Sequence, residues 1–501
     1  MLQYIASGLL TALSPLNLLV MAGGTVLGIV FGAMPGLSAT MAISVLIPVT
    51  FGMQPAGGLL LLASAYGGAM FGGSISAILL NTPGTVAAAA TTLDGHPLAL
   101  QGRGGEAISI AAYASAIGGF VSTFFLLVLS KPIANIALKL GAAEYTMLSI
   151  LGLVLIVSVS KGNLVKGLIS GVLGLMLGTI GLDPVVGHAR FSFGSIYLMS
   201  GLALVPCLIG LFALSQVYEV METATGESLI ASKITDKIRL KLSFLKKMVS
   251  PCLKGSLIGS IVGALPGAGA SIATFLSYEV QKKSSKNPED YGKGEPLGVA
   301  VVEATNNAVT GGAFTTMLTL GIPGNEATAI MLGALTIVGV QAGPNLFSKT
   351  PDLVYTFIMG LFVANILMLL FAMVLVRPVS HIVKTPNSVL CTLIIVLSVI
   401  GSYALNNRMF DVHVLFVLGI LGFIMKKADF SPVPMVLGLI LGKLVESNMT
   451  RALTLSKGSW LTFVQRPVSC IFLCIAIIMV AYPLLSERIA ARKKQAPESK
   501  G

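Results

Sequence analysis

Charge is the scarcest commodity in this 501-residue chain: Asp, Glu, Lys and Arg together make up 10% of it, and no charged residue of any kind precedes Asp94. Soluble domains carry about a quarter charged residues, so an ordinary cytosolic enzyme is excluded. Cysteine and histidine are also sparse. The five cysteines (Cys207, Cys252, Cys391, Cys470 and Cys474) show no CxxC spacing, and the four histidines are scattered. Neither a disulfide framework nor a transition-metal site is suggested, and no cofactor has visible ligands. The N-terminus lacks the basic n-region of a cleaved signal peptide, so the first apolar segment is expected to stay.

What is abundant is apolar sequence, with 55% hydrophobic residues and a mean hydropathy of +0.90. Helical membrane spans of about 20 residues account for such a composition, so the chain reads as an all-α polytopic membrane protein. About 12 transmembrane or re-entrant helical segments are expected from the apolar runs in. The expected layout is a first membrane repeat over 1–215, a basic linker over 216–250, a second repeat over 251–450, a C-terminal span over 451–487 and a basic tail over 488–501. The net charge of +12 is concentrated at Lys233, Lys237, Arg239, Lys241, Lys246, Lys247 and Lys254, and again from Arg488 to Lys500. Short basic loops mark the cytoplasmic side and attract anionic membrane lipid, so the linker and C-terminus are placed inside, and nucleic acid is not an expected partner.

An internal duplication runs through the apolar sequence. GIVFGAMPG at Gly28–Gly36 recurs as GSIVGALPG at Gly259–Gly267, and GGSISAILLNTPG at Gly72–Gly84 as GAFTTMLTLGIPG at Gly312–Gly324. The second copy is nine residues longer between its anchors, and the charged loop Lys282–Glu295 accounts for the difference. Paired, Pro-Gly-broken hydrophobic segments in two halves point to a secondary transporter with its site where the repeats meet. An inverted arrangement is preferred because duplicated transporters commonly use it, although run boundaries leave the parity open.

A Pro-Gly step in the membrane interrupts the helical ladder and exposes helix-end amides and carbonyls, which can hold ions. In Asn81-Thr82-Pro83-Gly84-Thr85, Thr82 is expected as N-cap and Pro83 at the first helical position, and Gly321-Ile322-Pro323-Gly324-Asn325 repeats the layout. Ser38, Thr40, Ser271 and Thr274 would set hydroxyls near helix N-termini, with Asn306, Asn307 and Thr310 about three to four turns before the second tip. The candidate substrate site is therefore Ser38, Thr40, Asn81, Thr82, Pro83, Gly84, Thr85, Ser271, Asn306, Asn307, Gly324 and Asn325. The candidate Na⁺ ligands are Gly36, Ser74, Asn81, Gly267, Thr310 and Gly321, because broken-helix carbonyls and side-chain oxygens suit a hard cation. No arginine clamp accompanies the tips, so an anion would depend on helix N-termini, amides, hydroxyls and co-bound cations. The GxxxG pairs Gly28/Gly32 and Gly259/Gly263 read instead as helix packing.

Among intramembrane charges, Glu303 stands nearly one turn before Asn306, so the two could face one cavity, the alternative being a loop-edge Glu that helps start a helix. Asp94, Glu106, Asp183 and Arg190 read as turns and interfacial residues, and Trp460, Tyr482 and Arg488 as interface anchors.

Long strings carry a family likeness: GAMPGLSATMAISVLIPVTF from Gly32, YGGAMFGGSISAILLNTPGTVAAAATTLDGHPLALQGRGGEA from Tyr66, GLDPVVGHARFSFG from Gly181, and the stretch Pro266–Gly324. The chain resembles, over nearly its whole length, the large membrane subunit of bacterial tripartite tricarboxylate transporters. His96 follows Asp94-Gly95 where that family often has an aromatic. The resemblance implies an inner-membrane permease that works with a small four-helix membrane subunit and a periplasmic solute-binding protein. It implies import of a small carboxylate such as citrate, driven by an ion gradient, generally Na⁺, through alternating access of a repeat-derived module against a scaffold. Two other classes compete. One is a channel or non-transporting scaffold subunit, which also uses helix ends and carbonyls. The other is an intramembrane serine hydrolase built on Ser74 with His96 as base, which lacks a nucleophile elbow.

Overall fold

A computed structural model describes residues 1–34, 36–159, 164–183, 187–223, 240–267, 269–382 and 387–495. Pro35, Ala268, the linker cations Lys233, Lys237 and Arg239, the end of the basic tail and the side chains of Tyr482 and Arg488 lie outside what is described. The protein is an all-α polytopic membrane protein. Seven of the described helices are long and apolar enough to cross a bilayer: Pro15–Ala33, Pro55–Leu80, Gly104–Ala137, Leu204–Glu222, Pro351–Val376, Ser388–Asn406 and Met409–Lys427. Their surroundings differ. Pro55–Leu80 is 94% enclosed by protein, whereas Ser388–Asn406 is only 28% enclosed and offers most of its apolar surface outward.

The chain divides into two compact units, Met1–Ala137 with Ala203–Phe423, and Leu138–Leu202 with Ile424–Gly501. Each sequence half contributes to both. In the smaller unit, Ala142–Val159 and Leu164–Gly178 pack on Pro432–Leu455, where Gly174 and Gly438 let backbones approach closely. A short antiparallel pair, Gly181–Leu182 with Ala189–Arg190, positions Arg190 3.3 Å from Asp183 and in an ion pair with Glu446. Asp183 and Arg190 are thus partners in a small charge network beside a turn.

The larger unit holds both broken-helix anchors. Pro15–Ala33 lies along Pro55–Leu80 with Gly28 and Gly32 seated on the backbone of Ala65 and Ala69. Leu242–Gly263 lies along Pro296–Leu320 in the same way, with Gly259 and Gly263 on Thr305 and Val309. Any side chain at these glycines would meet carbonyl groups, so the GxxxG pairs serve packing.

The two copies are inverted. Where Pro296–Leu320 crosses Pro55–Leu80, Glu303 meets Ser74 and Asn306 meets the carbonyl of Met70, so partner numbers fall as residue numbers rise. Equivalent helices of the two copies therefore run in opposite senses.

Not every apolar run became one helix. The apolar sequence over 194–222 forms the short helix Ile196–Met199 and then the span Leu204–Glu222, which widens over Ile209–Leu214. Pro206 and the glycines at 194, 201 and 210 lie within that stretch, which explains the interruption.

Candidate functional site

The helix Pro55–Leu80 stops at Asn81, whose backbone turns left-handed with φ 55°, and Pro296–Leu320 stops the same way at Gly321 with φ 71°. Asn and Gly are the residues that tolerate this conformation at a helix end. Four residues later, each copy caps its next element. Thr85 accepts the N–H of Ala88, and Asn325 Oδ1 accepts the N–H of Thr328 at 3.0 Å while Thr328 Oγ1 accepts the N–H of Asn325. The cap expected at Thr82 is therefore misplaced. The left-handed residue at 81 needs Thr82, Pro83 and Gly84 to complete the turn, and Thr82 turns its hydroxyl back to the carbonyl of Leu80.

Each tip is seated by a glycine. Gly84 rests against the carbonyl of Gly32, and Gly324 against that of Gly263. The Gly324 carbonyl in turn accepts the N–H of Gly267 at 3.0 Å, so the Pro-Gly break of the second copy and its tip touch directly. In the first copy, the break is held by Gln216, which donates to the Gly36 carbonyl at 2.6 Å and accepts from Ser38 at 2.8 Å. Ser38 caps Ala39–Leu46 and pairs with Thr40. Ser271 lies in the first turn of Ala270–Lys283, where Thr274 returns its hydroxyl to the Ser271 carbonyl.

The tips do not bond to one another. Asn325 Nδ2 donates to the Tyr66 hydroxyl of the first copy at 2.7 Å, while Asn81 is exposed at its helix end. Tyr66 is buried within an apolar helix and packs edge-on against Phe314, an aromatic whose polar end needs a partner. That need was the one clue to Tyr66 in the sequence.

Where the two helices cross lies a cluster of buried polar groups. Glu303 is fully buried, inside its helix rather than at a loop edge, and receives the hydroxyls of Ser74 and Thr91, with Ser115 at 3.3 Å and Asn306 Nδ2 at 3.5 Å. Asn306 Nδ2 also donates to the Met70 carbonyl at 3.0 Å. Asn306 Oδ1 and the neighbouring Asn307 Nδ2 are buried and have no hydrogen-bond partner. A bare acceptor and a bare donor thus stand on consecutive residues, the pairing that a cation beside an anion would satisfy. Thr310 donates to the Asn307 carbonyl and does not satisfy that amide.

Asp94 differs from the turn residue expected. Its side chain is buried, with Oδ1 accepting the N–H groups of Gly292, Gly294 and Glu295 at 2.8–2.9 Å and Oδ2 accepting the Tyr278 hydroxyl at 2.9 Å. The charged insertion of the second copy is fastened through Asp94 to the first copy. Burial lifts the Glu295 carboxyl in that loop above the ordinary carboxylate range, against the Leu297 N–H that it accepts. His96 Nδ1 lies 3.0 Å from the Ile78 carbonyl and Ser74 donates to Glu303, so the Ser74–His96 pair of a hydrolase is not assembled.

These features belong to a recognisable family. Residues 18–437 match the tripartite tricarboxylate transporter TctA family. An uncharacterized 52.8 kDa protein of the TAR-I ttuC' 3' region of Agrobacterium vitis is 35% identical over 494 residues, covering 99% of this chain and 98% of that protein. A second Agrobacterium vitis protein, from the TAR-II ttuC' 3' region, is 35% identical over 217 residues, covering 43% of this chain and 90% of its own. No solved structure matches. On the match over most of its length, the chain belongs to the tripartite tricarboxylate transporter TctA family.

Proposed function

We propose that this chain is the permease of a binding-protein-dependent secondary transporter that imports a small di- or tricarboxylate, such as citrate, coupled to a Na⁺ gradient by alternating access. It works in the bacterial inner membrane with its linker and C-terminus in the cytoplasm, beside a small four-helix membrane subunit and a periplasmic solute-binding protein. The observation that carries the reading is the inverted pair of tips, Asn81–Thr85 and Gly321–Asn325, on either side of a buried polar crossing in a member of a tricarboxylate transporter family. Broken helices placed this way present N–H groups to an anion and carbonyls to a cation without crossing lipid as bare backbone. Asn325, at the start of the 12-residue helix Glu326–Ile337, and the unpartnered Asn307 amide supply donors for a carboxylate.

Reconstitution of the chain with its two partner subunits in proteoliposomes tests this. Radiolabelled organic acids are expected to accumulate saturably above their external concentration when an inward Na⁺ gradient is imposed, and to stop when it is collapsed. Passive, unsaturable equilibration would identify a channel, and no flux of any organic acid would overturn the reading.

A further inference from the structure

Among the described residues, Glu303 is a buried carboxylate with no ion-pair partner. Around it, the uncharged stretch of the first copy supplies Ser74 and Met70, the segment after the first tip supplies Thr91, and Gly104–Ala137 supplies Ser115. The ionisable groups on the same elements are engaged elsewhere. Asp94, one turn beyond Thr91, is held by backbone N–H groups and Tyr278, while His96 faces the Ile78 carbonyl. Arg103 and Glu106 pair with each other. Cys252 on Leu242–Gly263 donates to the Ala300 carbonyl, and Lys246, Lys247 and Lys254 of that helix are exposed. Tyr66 bonds to Asn325, and Glu326 and Lys349 on the neighbouring short helices are exposed.

An anion so enclosed is costly in any low-dielectric site, and hydrogen bonds from hydroxyls and one amide do not cancel a full charge. Three of the donors are hydroxyls, which rotate: the same oxygens that donate to a carboxylate can turn lone pairs toward a cation or toward an acid proton. Asn306 Oδ1, buried without a partner next to Glu303, is a further oxygen for such a group. We propose that Glu303, with Ser74, Thr91, Ser115 and Asn306, forms an exchangeable monocation site, occupied by a proton or a Na⁺ ion, whose loading and release couple the gradient to transport. The site lies where the copies cross, so its occupant neutralises Glu303 during reorientation and leaves when the site opens to the cytoplasm. This deepens the proposed function and rests on it, since a chain that moves no solute has nothing to couple.

Glu303→Gln places a neutral amide where the neutralised carboxylate would be. In the reconstituted complex it is expected to lower gradient-driven accumulation by about tenfold or more. Imposing a pH gradient at constant Na⁺, and a Na⁺ gradient at constant pH, shows which monocation drives wild type, and that dependence is lost in the variant. Accumulation equal to wild type overturns the proposal, and so does an unchanged driving-ion dependence in a folded, monodisperse variant. Thr91→Val and Ser115→Ala are expected to raise the driving-ion concentration needed for half-maximal uptake; unchanged values for both count against the site. A readout free of solute separates this proposal from the transport reading. Binding of ²²Na⁺, or an infrared band of a protonated carboxyl, is expected in purified wild type and missing in Glu303→Gln, and the presence of neither in wild type overturns the site even if transport is found.

Discussion

Asp94 and Glu303 are both buried carboxylates, 1% and 0% exposed, and both join one copy of the repeat to the other, yet their company differs. Asp94 is gripped by three backbone N–H groups, which point where the loop fixes them. Glu303 is held mainly by side-chain hydroxyls, which turn freely about their C–O bonds. Burial alone therefore does not make the two carboxylates equivalent. Fixed donors hold a carboxylate in one bonding arrangement and make a latch. Rotatable donors let it change partners, which an exchangeable ion requires.

The largest effect expected from breaking this contrast is at the latch. Asp94→Ala strips three N–H groups and a phenol of their acceptor at once, and each buried donor left unsatisfied costs about 1–3 kcal/mol. The variant should melt earlier in detergent, and trypsin should cut at Lys286 or Lys293 in the freed loop. An unchanged melting point with the loop still resistant would refute the latch. Asp94→Asn keeps one accepting oxygen and should lose much less. Glu303→Gln, by contrast, should leave melting and loop cleavage near wild type.

The glycine approach to the latch gives the next test. A Cβ at Gly298 would press on Asp94 Oδ2, so Gly298→Ala should destabilise by about 1–3 kcal/mol through overpacking and expose the same tryptic sites. The tips extend the comparison to the two copies. A Cβ at Gly324 would lie 2.7 Å from the Gly263 carbonyl, and one at Gly84 would fall still closer to that of Gly32. Gly84→Ala should therefore lower the melting point more than Gly324→Ala. The reverse order would mean that the first tip yields more easily than its packing implies.

Much of this was legible in the residues. The duplicated Pro-Gly strings announced the two tips, and the spacing of Glu303 and Asn306 placed both on one helix face. The rest lay in contacts that sequence does not encode locally. Ser115 and Thr91 lie 188 and 212 positions from Glu303, on elements whose patterns are those of any small-residue membrane helix. Asp94 read as a turn because its partners are backbone N–H groups of Gly292, Gly294 and Glu295, and backbone donors leave no side-chain signature. In Asn81-Thr82-Pro83-Gly84-Thr85 the cap is Thr85 rather than Thr82, because the helix ends in a left-handed Asn81 and the turn runs on through Gly84.

The smallest effect, and the sharpest for separating solute from ion, is expected at Tyr66. Tyr66→Phe removes the oxygen that accepts from Asn325 Nδ2 but keeps the ring packed on Phe314, and Asn325 retains its cap through Oδ1 to Thr328. The net loss of one hydrogen bond is about 0.5–1.5 kcal/mol. Folding and loop protection should be unaffected. If the second tip contacts the carboxylate, the freed amide shifts the solute concentration for half-maximal uptake by up to about tenfold. The ion dependence should not move, because Tyr66 does not touch the Glu303 cage. A change in ion dependence without a change in apparent solute affinity would join the tip to the cage and dissolve the division of labour between them.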